Sequence, residues 1–194
     1  MKRFIILLLP VFFALSANGQ FSPKGISVNE KAPDFTAKDQ NGKKIVLSAE
    51  LKKGPAVLVF YRGQWCPYCN KQLKKLEDSL SFIKEKGATL IAITPEKPEN
   101  ISKTIEKTKA TYPIVYDEGL KIMRQYDVAF ALDSSFTARY KQFGIDFSDA
   151  NGVNGANLPV PALYIISRYG KIVFRHFDPD YKQRVSVREI LSHL

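Results

Sequence analysis

Residues 55–61, Pro-Ala-Val-Leu-Val-Phe-Tyr, form a nearly unbroken apolar run rich in β-branched and aromatic side chains. A strand with one wet face alternates polar and apolar residues, so this run fits a strand covered on both faces. Covering both faces of a sheet takes helices on either side, which points to an α/β chain. The run ends at Arg62-Gly63 and is followed within a few residues by Cys66-Pro67-Tyr68-Cys69.

The remaining pattern extends this reading. Leu73, Leu76, Leu80 and Ile83 recur at helical spacing, so residues 66–86 read as one helical face closed by Gly87. Residues 88–94 read as a second strand, 99–109 as a surface helix, 112–116 as a short strand, and 119–126 and 138–143 as short helices. Asp39-Gln40-Asn41-Gly42, between two short apolar segments, is turn chemistry for an N-terminal β-hairpin. Residues 144–158 read as a long loop. Residues 162–167 and 171–177 form a second hairpin across Arg168-Tyr169-Gly170, and 185–194 a closing helix. The expected architecture is a mixed central sheet with helices on both faces and an N-terminal β-hairpin.

Lys2 and Arg3, an apolar stretch over residues 4–15 and the small residues of Ala17-Asn18-Gly19 together read as a secretory signal over residues 1–19. A spanning helix wants roughly 20 apolar residues; this stretch is shorter and holds Pro10. The expectation is an exported chain, periplasmic or secreted, without stable membrane insertion after cleavage. Residues 20–31 read as a mobile lead-in and 32–194 as one domain. The formal net charge is +10, yet the basic residues are scattered and no zinc-finger or RNA-binding signature accompanies them. Nucleic acid is therefore not an expected partner.

Chemistry concentrates at the only two cysteines. A cysteine at a helix N-terminus meets free backbone N–H groups and the positive end of the helix dipole. That placement lowers a thiol pKa from about 8.5 into the ~3.5–7.5 range, which makes Cys66 the candidate nucleophile. Pro67 is tolerated in the first turn, where its missing N–H has no role. Cys69, one turn on, is placed to resolve a mixed disulfide by bonding to Cys66. Zinc is disfavoured because it would need two further ligands and the only histidines are His176, on an expected strand, and His193, at the end of the closing helix. A soft ion such as Cu(I), held by the two sulfurs in a metallochaperone-like module, is the alternative; an inert binding scaffold is a third reading. No cofactor is called for.

Ala32-Pro33-Asp34-Phe35, the run from Tyr61 to Cys69, Tyr112-Pro113-Ile114-Val115-Tyr116-Asp117 and Pro161 before a terminal strand together resemble the alkyl hydroperoxide reductase/thiol-specific antioxidant family. The resemblance covers nearly all of residues 32–194. It implies a thioredoxin-like fold and a peroxiredoxin-like or thiol-disulfide oxidoreductase activity, with a disulfide or peroxide as substrate and a thiol reductant as partner. It also implies that Cys66 attacks, that Trp65 packs beside it, and that Pro161 is a cis-proline presenting Val160 to the cysteine pair. The chain departs from that pattern at Val59 and Gly63, where peroxiredoxins carry a proline and a Thr or Ser. Phe60 stands where thioredoxins carry a buried aspartate, which removes the usual proton acceptor. Arg62 is a candidate for stabilising the thiolate or orienting an oxygen substrate. Asp180 and Arg184 are spaced as a helical ion pair in a helix starting near Pro179, and with Tyr181 and His176 they are left outside the site.

Overall fold

The computed structural model describes residues 22–194; the signal reading of residues 1–19 lies outside them. A short hairpin opens the chain, β1 (Thr36–Lys38) pairing antiparallel with β2 (Lys44–Val46) before α1 (Leu47–Leu51). The apolar run becomes β3 (Ala56–Phe60), every residue of it buried. It leads into α2 (Pro67–Asp78), α3 (Leu80–Glu85), β4 (Thr89–Thr94), α4 (Pro98–Thr108) and β5 (Ile114–Tyr116). After α5 (Lys121–Gln125) come β6 (Ala129–Ala131), α6 (Ser134–Gln142), α7 (Phe147–Asn151) and β7 (Asn157–Pro159). Strands β8 (Ala162–Ile166) and β9 (Ile172–Phe177) and helix α8 (Val187–Ser192) complete it.

The central sheet has five strands in the order β5-β4-β3-β8-β9. Strand β3 lies parallel to β4 and antiparallel to β8, and β8 lies antiparallel to β9, so the sheet is mixed as expected. Alternate residues of β3 serve opposite cores. Ala56, Leu58 and Phe60 face a cluster completed by Phe35 and Ile45 of the hairpin region, Leu47 and Leu51 of α1 and Met123 of α5. Val57, Val59 and Tyr61 face Leu73 and Leu76 of α2, Ile83 of α3, Ile101 of α4 and Ile190 of α8. This two-sided burial is why β3 has no polar position to spare.

Several details differ from the sequence reading. The helical face over residues 66–86 is carried by two helices, because Ser79 leaves helical geometry at φ −113° and ψ 10°; the apolar stripe continues across the break. The expected loop over residues 144–158 contains α7 and β7, the latter pairing with β6. The expected helix start near Pro179 is absent and residues 178–186 run as turn and coil. Nor is the lead-in loose between residues 22 and 31. Pro23 is buried, Gly25 N–H donates to the Asp127 carbonyl at 2.9 Å, and Asn29 N–H donates to the Ile172 carbonyl at 2.8 Å. No peptide bond among the described residues is cis, so the cis assignment of Pro161 is corrected to trans. The cause is local pairing: Val160 N–H donates to the Val128 carbonyl at 2.8 Å, carrying the β6–β7 pairing onward and delivering the chain extended into β8.

Among the described residues no helix is long and apolar enough to cross a membrane. Leu73 anchors the site-bearing helix to the sheet and is fully buried. Leu73→Ala is expected to cost about 2–5 kcal/mol in chemical unfolding, the range for a buried leucine leaving a cavity. A loss below about 1 kcal/mol would contradict this placement of α2.

Candidate active site

The β3–α2 junction determines where every reacting group stands. Tyr61 N–H donates to the Ile93 carbonyl at 3.0 Å, ending the pairing with β4, and the chain then turns through Arg62-Gly63-Gln64-Trp65. Cys66 is the N-cap residue of α2, with extended backbone at φ −90° and ψ 110°, and Pro67 occupies the first turn. The Cys66 N–H donates back to the Gly63 carbonyl at 3.0 Å, which locks this turn. Both thiols are free, and their exposures of 1% and 0% place them under the surface.

Within this setting the two sulfurs differ. The Cys69 thiol donates a hydrogen bond to Cys66, and with the Cys69 backbone N–H and the charges of Arg62 and Arg184 it outweighs burial and brings the Cys66 thiol down to about 6. Burial and the neighbouring Cys66 thiolate push Cys69 well above the ordinary thiol range. The pair therefore holds one negative charge and one proton at neutral pH, with the charge on the residue at the helix start.

Two guanidinium groups frame that charge. Arg62 is 4% exposed and is enclosed by rings rather than carboxylates. Its guanidinium carbon lies 4.8 Å from the Trp65 ring centroid, 5.5 Å from Tyr140 and 4.2 Å from Tyr181, and its Nη2 donates to the Tyr140 hydroxyl. Trp65 also meets Tyr140 and Phe147 edge-on at 5.3 and 5.8 Å. Arg184 reaches Cys69, with Nη2 3.7 Å from Sγ; the structure does not form the expected Asp180–Arg184 ion pair. Two cations beside the sulfurs favour a thiolate and oppose a metal cation.

A buried acid completes the cluster. The register of β3 against β4 pairs Phe60 with Ile93, so Gly63 and Glu96 leave the sheet side by side. Glu96 is fully buried, and its Oε2 accepts the Gln64 N–H at 2.7 Å. A Cβ built at Gly63 would stand 2.5 Å from Glu96 Oε1 and 2.5 Å from Trp65 Nε1. The carboxyl and the indole thus fill the space that a Thr or Ser side chain would need. Burial raises the Glu96 carboxyl to about 8.

Of the residues singled out in the sequence, Cys66, Cys69, Arg62 and Trp65 come together here. Val160 and Pro161 line a groove of about 480 Å³ with Arg62, Phe130, Tyr140 and Tyr181. The cysteines do not line that groove, and Arg62 is the link between the two. Sequence reasoning missed Glu96, Tyr140 and the role of Arg184. For Glu96 a signal existed: an acid just past the end of a parallel strand adjacent to the cysteine-bearing strand, at the carboxyl edge where α/β sheets gather their sites. Arg184 and Tyr140 carry no local signal.

A thioredoxin-like sheet with a polarised cysteine pair at a strand–helix junction defines a class of thiol-based proteins. The sequence profile of the AhpC/TSA family matches residues 28–175, and the chain belongs to that family. Peroxiredoxin Q from Gentiana triflora is 34% identical over 114 residues, 59% of this chain and 52% of that protein. The chain therefore spans about half the length of that curated relative. Thiol-disulfide oxidoreductase ResA from Bacillus cereus is 32% identical over 140 residues, 69% of this chain and 78% of that protein. The crystal structure of peroxidoxin BcpB from Mycobacterium tuberculosis shares the fold at a TM-score of 0.66 and 20% identity, covering 86% of this chain and 94% of its own.

The raised Glu96 carboxyl has a consequence for stability. The folded protein keeps a proton that the unfolded chain releases between about 4.5 and about 8, so Glu96 makes stability fall as pH rises through that window. Glu96→Gln removes this dependence. Unfolding free energies of the reduced protein and the variant should diverge in the variant's favour from pH 5 to pH 8, by an amount on the order of a few kcal/mol. Parallel pH profiles would contradict a buried, raised carboxyl.

Proposed function

We propose that the chain is an exported thiol-disulfide oxidoreductase of peroxiredoxin-like type, with disulfides as its main substrate class. The observation that carries this reading is the placement of two free cysteines at the N-cap and in the first turn of α2 with Arg184 beside Cys69, an arrangement that favours a thiolate at Cys66 and a proton on Cys69. The Cys66 thiolate attacks one sulfur of a substrate disulfide and expels the other as a thiolate, leaving a mixed disulfide on Cys66. Cys69 then attacks the Cys66 sulfur, expels the second substrate thiolate, and leaves the Cys66–Cys69 disulfide. The substrate gains two electrons and the pair loses them; an external thiol reductant reverses the state of the pair. The ResA relative is named for this chemistry. Signal-like residues 1–19 support export to an oxidising compartment, where a protein of this kind meets disulfides.

Peroxide is the second substrate class, favoured by the buried Arg62 guanidinium, which is suited to holding an oxygen substrate beside the thiolate. There Cys66 attacks the terminal peroxide oxygen, an alcohol or water leaves, and the resulting sulfenic acid condenses with Cys69, releasing water. Gly63 weakens this route, because no hydroxyl is present at that position and Glu96 fills its space.

The test uses the full chain in wild-type, Cys66→Ser and Cys69→Ser forms. Cys66→Ser is expected to abolish both disulfide reduction and peroxide consumption. Cys69→Ser should keep the first step and accumulate a mixed disulfide, seen as a mass increase equal to one substrate thiol. Unchanged rates in Cys66→Ser would overturn the assignment. Sulfenic acid at Cys66 of Cys69→Ser under dilute peroxide would place peroxide among the substrates, and its absence would leave disulfide exchange alone.

A further inference from the structure

The groove beside the reacting pair is walled by the β6–β7 ribbon, and the two edges of that ribbon differ. Leu132 N–H donates to the Ala156 carbonyl at 2.8 Å, and Val160 N–H donates to the Val128 carbonyl at 2.8 Å. In an antiparallel pair, hydrogen-bonded and non-hydrogen-bonded positions alternate. Phe130 opposite Leu158 is therefore hydrogen-bonded, whereas Ala129 opposite Pro159 and Ala131 opposite Asn157 are not. Pro159, which has no N–H, fits that phase. The N–H and C=O of Ala131 consequently point away from β7, toward the outer edge of β6.

The β7 edge is sealed from within the fold. Asn151 Nδ2 donates to the Asn157 carbonyl at 3.1 Å and to the Gly155 carbonyl at 2.8 Å. Nothing equivalent covers β6: among the described residues its only strand partner is β7, and no other backbone bond reaches Ala131. The lead-in stops short of it. Gly25 N–H and Lys24 N–H donate to the carbonyl and Oδ2 of Asp127, each at 2.9 Å, and Pro23 before them has no N–H to offer. Ala131 is exposed and lines the groove. The Asp133 carboxylate near it is engaged as the cap of α6, accepting the Phe136 N–H at 2.9 Å. What this wall leaves unpaired is main chain, set among the apolar and aromatic side chains of Phe130, Phe136, Pro161 and Tyr181.

Resting on the thiol-disulfide reading above, we propose that β6 takes an extended segment of a substrate polypeptide as an added strand, its backbone bonding Ala131 and its apolar side chains entering the groove. A free strand edge is a template for a further strand, and main-chain bonding of this kind supplies affinity while side-chain pockets supply selectivity. Arg62 also lines the groove and stands one turn of chain before Cys66. A disulfide in the bound segment is thereby brought to the thiolate. The resemblance gave this role to Val160, but the Val160 N–H is bonded to Val128, so the free edge of β6 takes it over. The substrate class is an unfolded or loosely folded chain with apolar residues flanking its cysteine.

The test compares two disulfides with the same coloured leaving group. One is Ellman's reagent, which has no main chain. The other is an eight-residue peptide whose single cysteine, flanked by apolar residues, is bonded to the aromatic thiol of that reagent. Release of colour by the reduced full-length protein should saturate with peptide. Ala131→Pro removes the outward N–H without touching a β6–β7 bond. It should raise the half-saturating peptide concentration by about tenfold or more, as expected on losing main-chain hydrogen bonds, and leave the rate with Ellman's reagent unchanged. Wild-type saturation by the peptide in Ala131→Pro would overturn the proposal. Should the variant slow both reactions alike, peptides N-methylated at alternate amides decide the matter on the wild-type protein. Only alternate residues of an added strand face β6, so one methylation phase should lose about tenfold in half-saturation and the other should not. Equal saturation by both phases would overturn the proposal, and a monomer–dimer balance shifted by Ala131→Pro would then assign the edge to a second copy of the chain. Failure of the underlying reading shows itself differently, as reaction with Ellman's reagent that survives in Cys66→Ser.

Discussion

A sulfur anion at the start of a helix, held by a thiol and an amide from one turn further in, is the interaction on which this site depends. Cys66 is the N-cap of α2 and Cys69 lies in its first turn, so the helix supplies both the free amides and the second sulfur. For that geometry α2 must begin one short turn after a strand that cannot move. Strand β3 meets the condition by being central in the sheet and buried on both faces. The packing of Leu73 and Leu76 beneath the helix is therefore a requirement of the chemistry as well as of stability.

Charge around the pair is arranged by an uncommon choice of partners. A buried arginine is most often matched with a carboxylate, which would neutralise much of its field. Arg62 is surrounded by the faces of Trp65, Tyr140 and Tyr181 and bonded to a phenol, so its positive charge remains available to the thiolate. Arg184 brings a second guanidinium to Cys69. The one carboxyl in the cluster is held mainly as its neutral acid by burial, and so does not cancel the cations. Removing the side chain at position 63 is what gives that carboxyl room.

Local patterns in the sequence were enough to read the parts of the fold with local causes. The apolar run of β3, the Asn41-Gly42 turn between β1 and β2, and the glycine-closed turn before β9 announce themselves through side-chain period and positive-φ chemistry. Cys66 at a helix start was legible for the same reason, since Pro67 marks a first turn. Contacts between distant segments were not. Arg184 is separated from Cys69 by 115 residues, and Tyr140 from Arg62 by 78, so nothing beside either residue announces its partner. Spacing alone paired Arg184 with Asp180, and a coil with no helical period dissolved that pairing. The geometry of Pro161 followed from a resemblance and yielded to a backbone bond between Val160 and Val128 that no local pattern encodes.

The most direct measurement is the thiolate absorbance of the fully reduced protein in the far ultraviolet, followed across pH with Cys69→Ser as reference. The account predicts one thiolate forming with a midpoint at about 6 and the second appearing only well above the ordinary thiol range. In Cys69→Ser the remaining thiol should titrate at a different pH, because the sulfur that donates to Cys66 is gone. Two thiols ionising together at the value of free cysteine would contradict it.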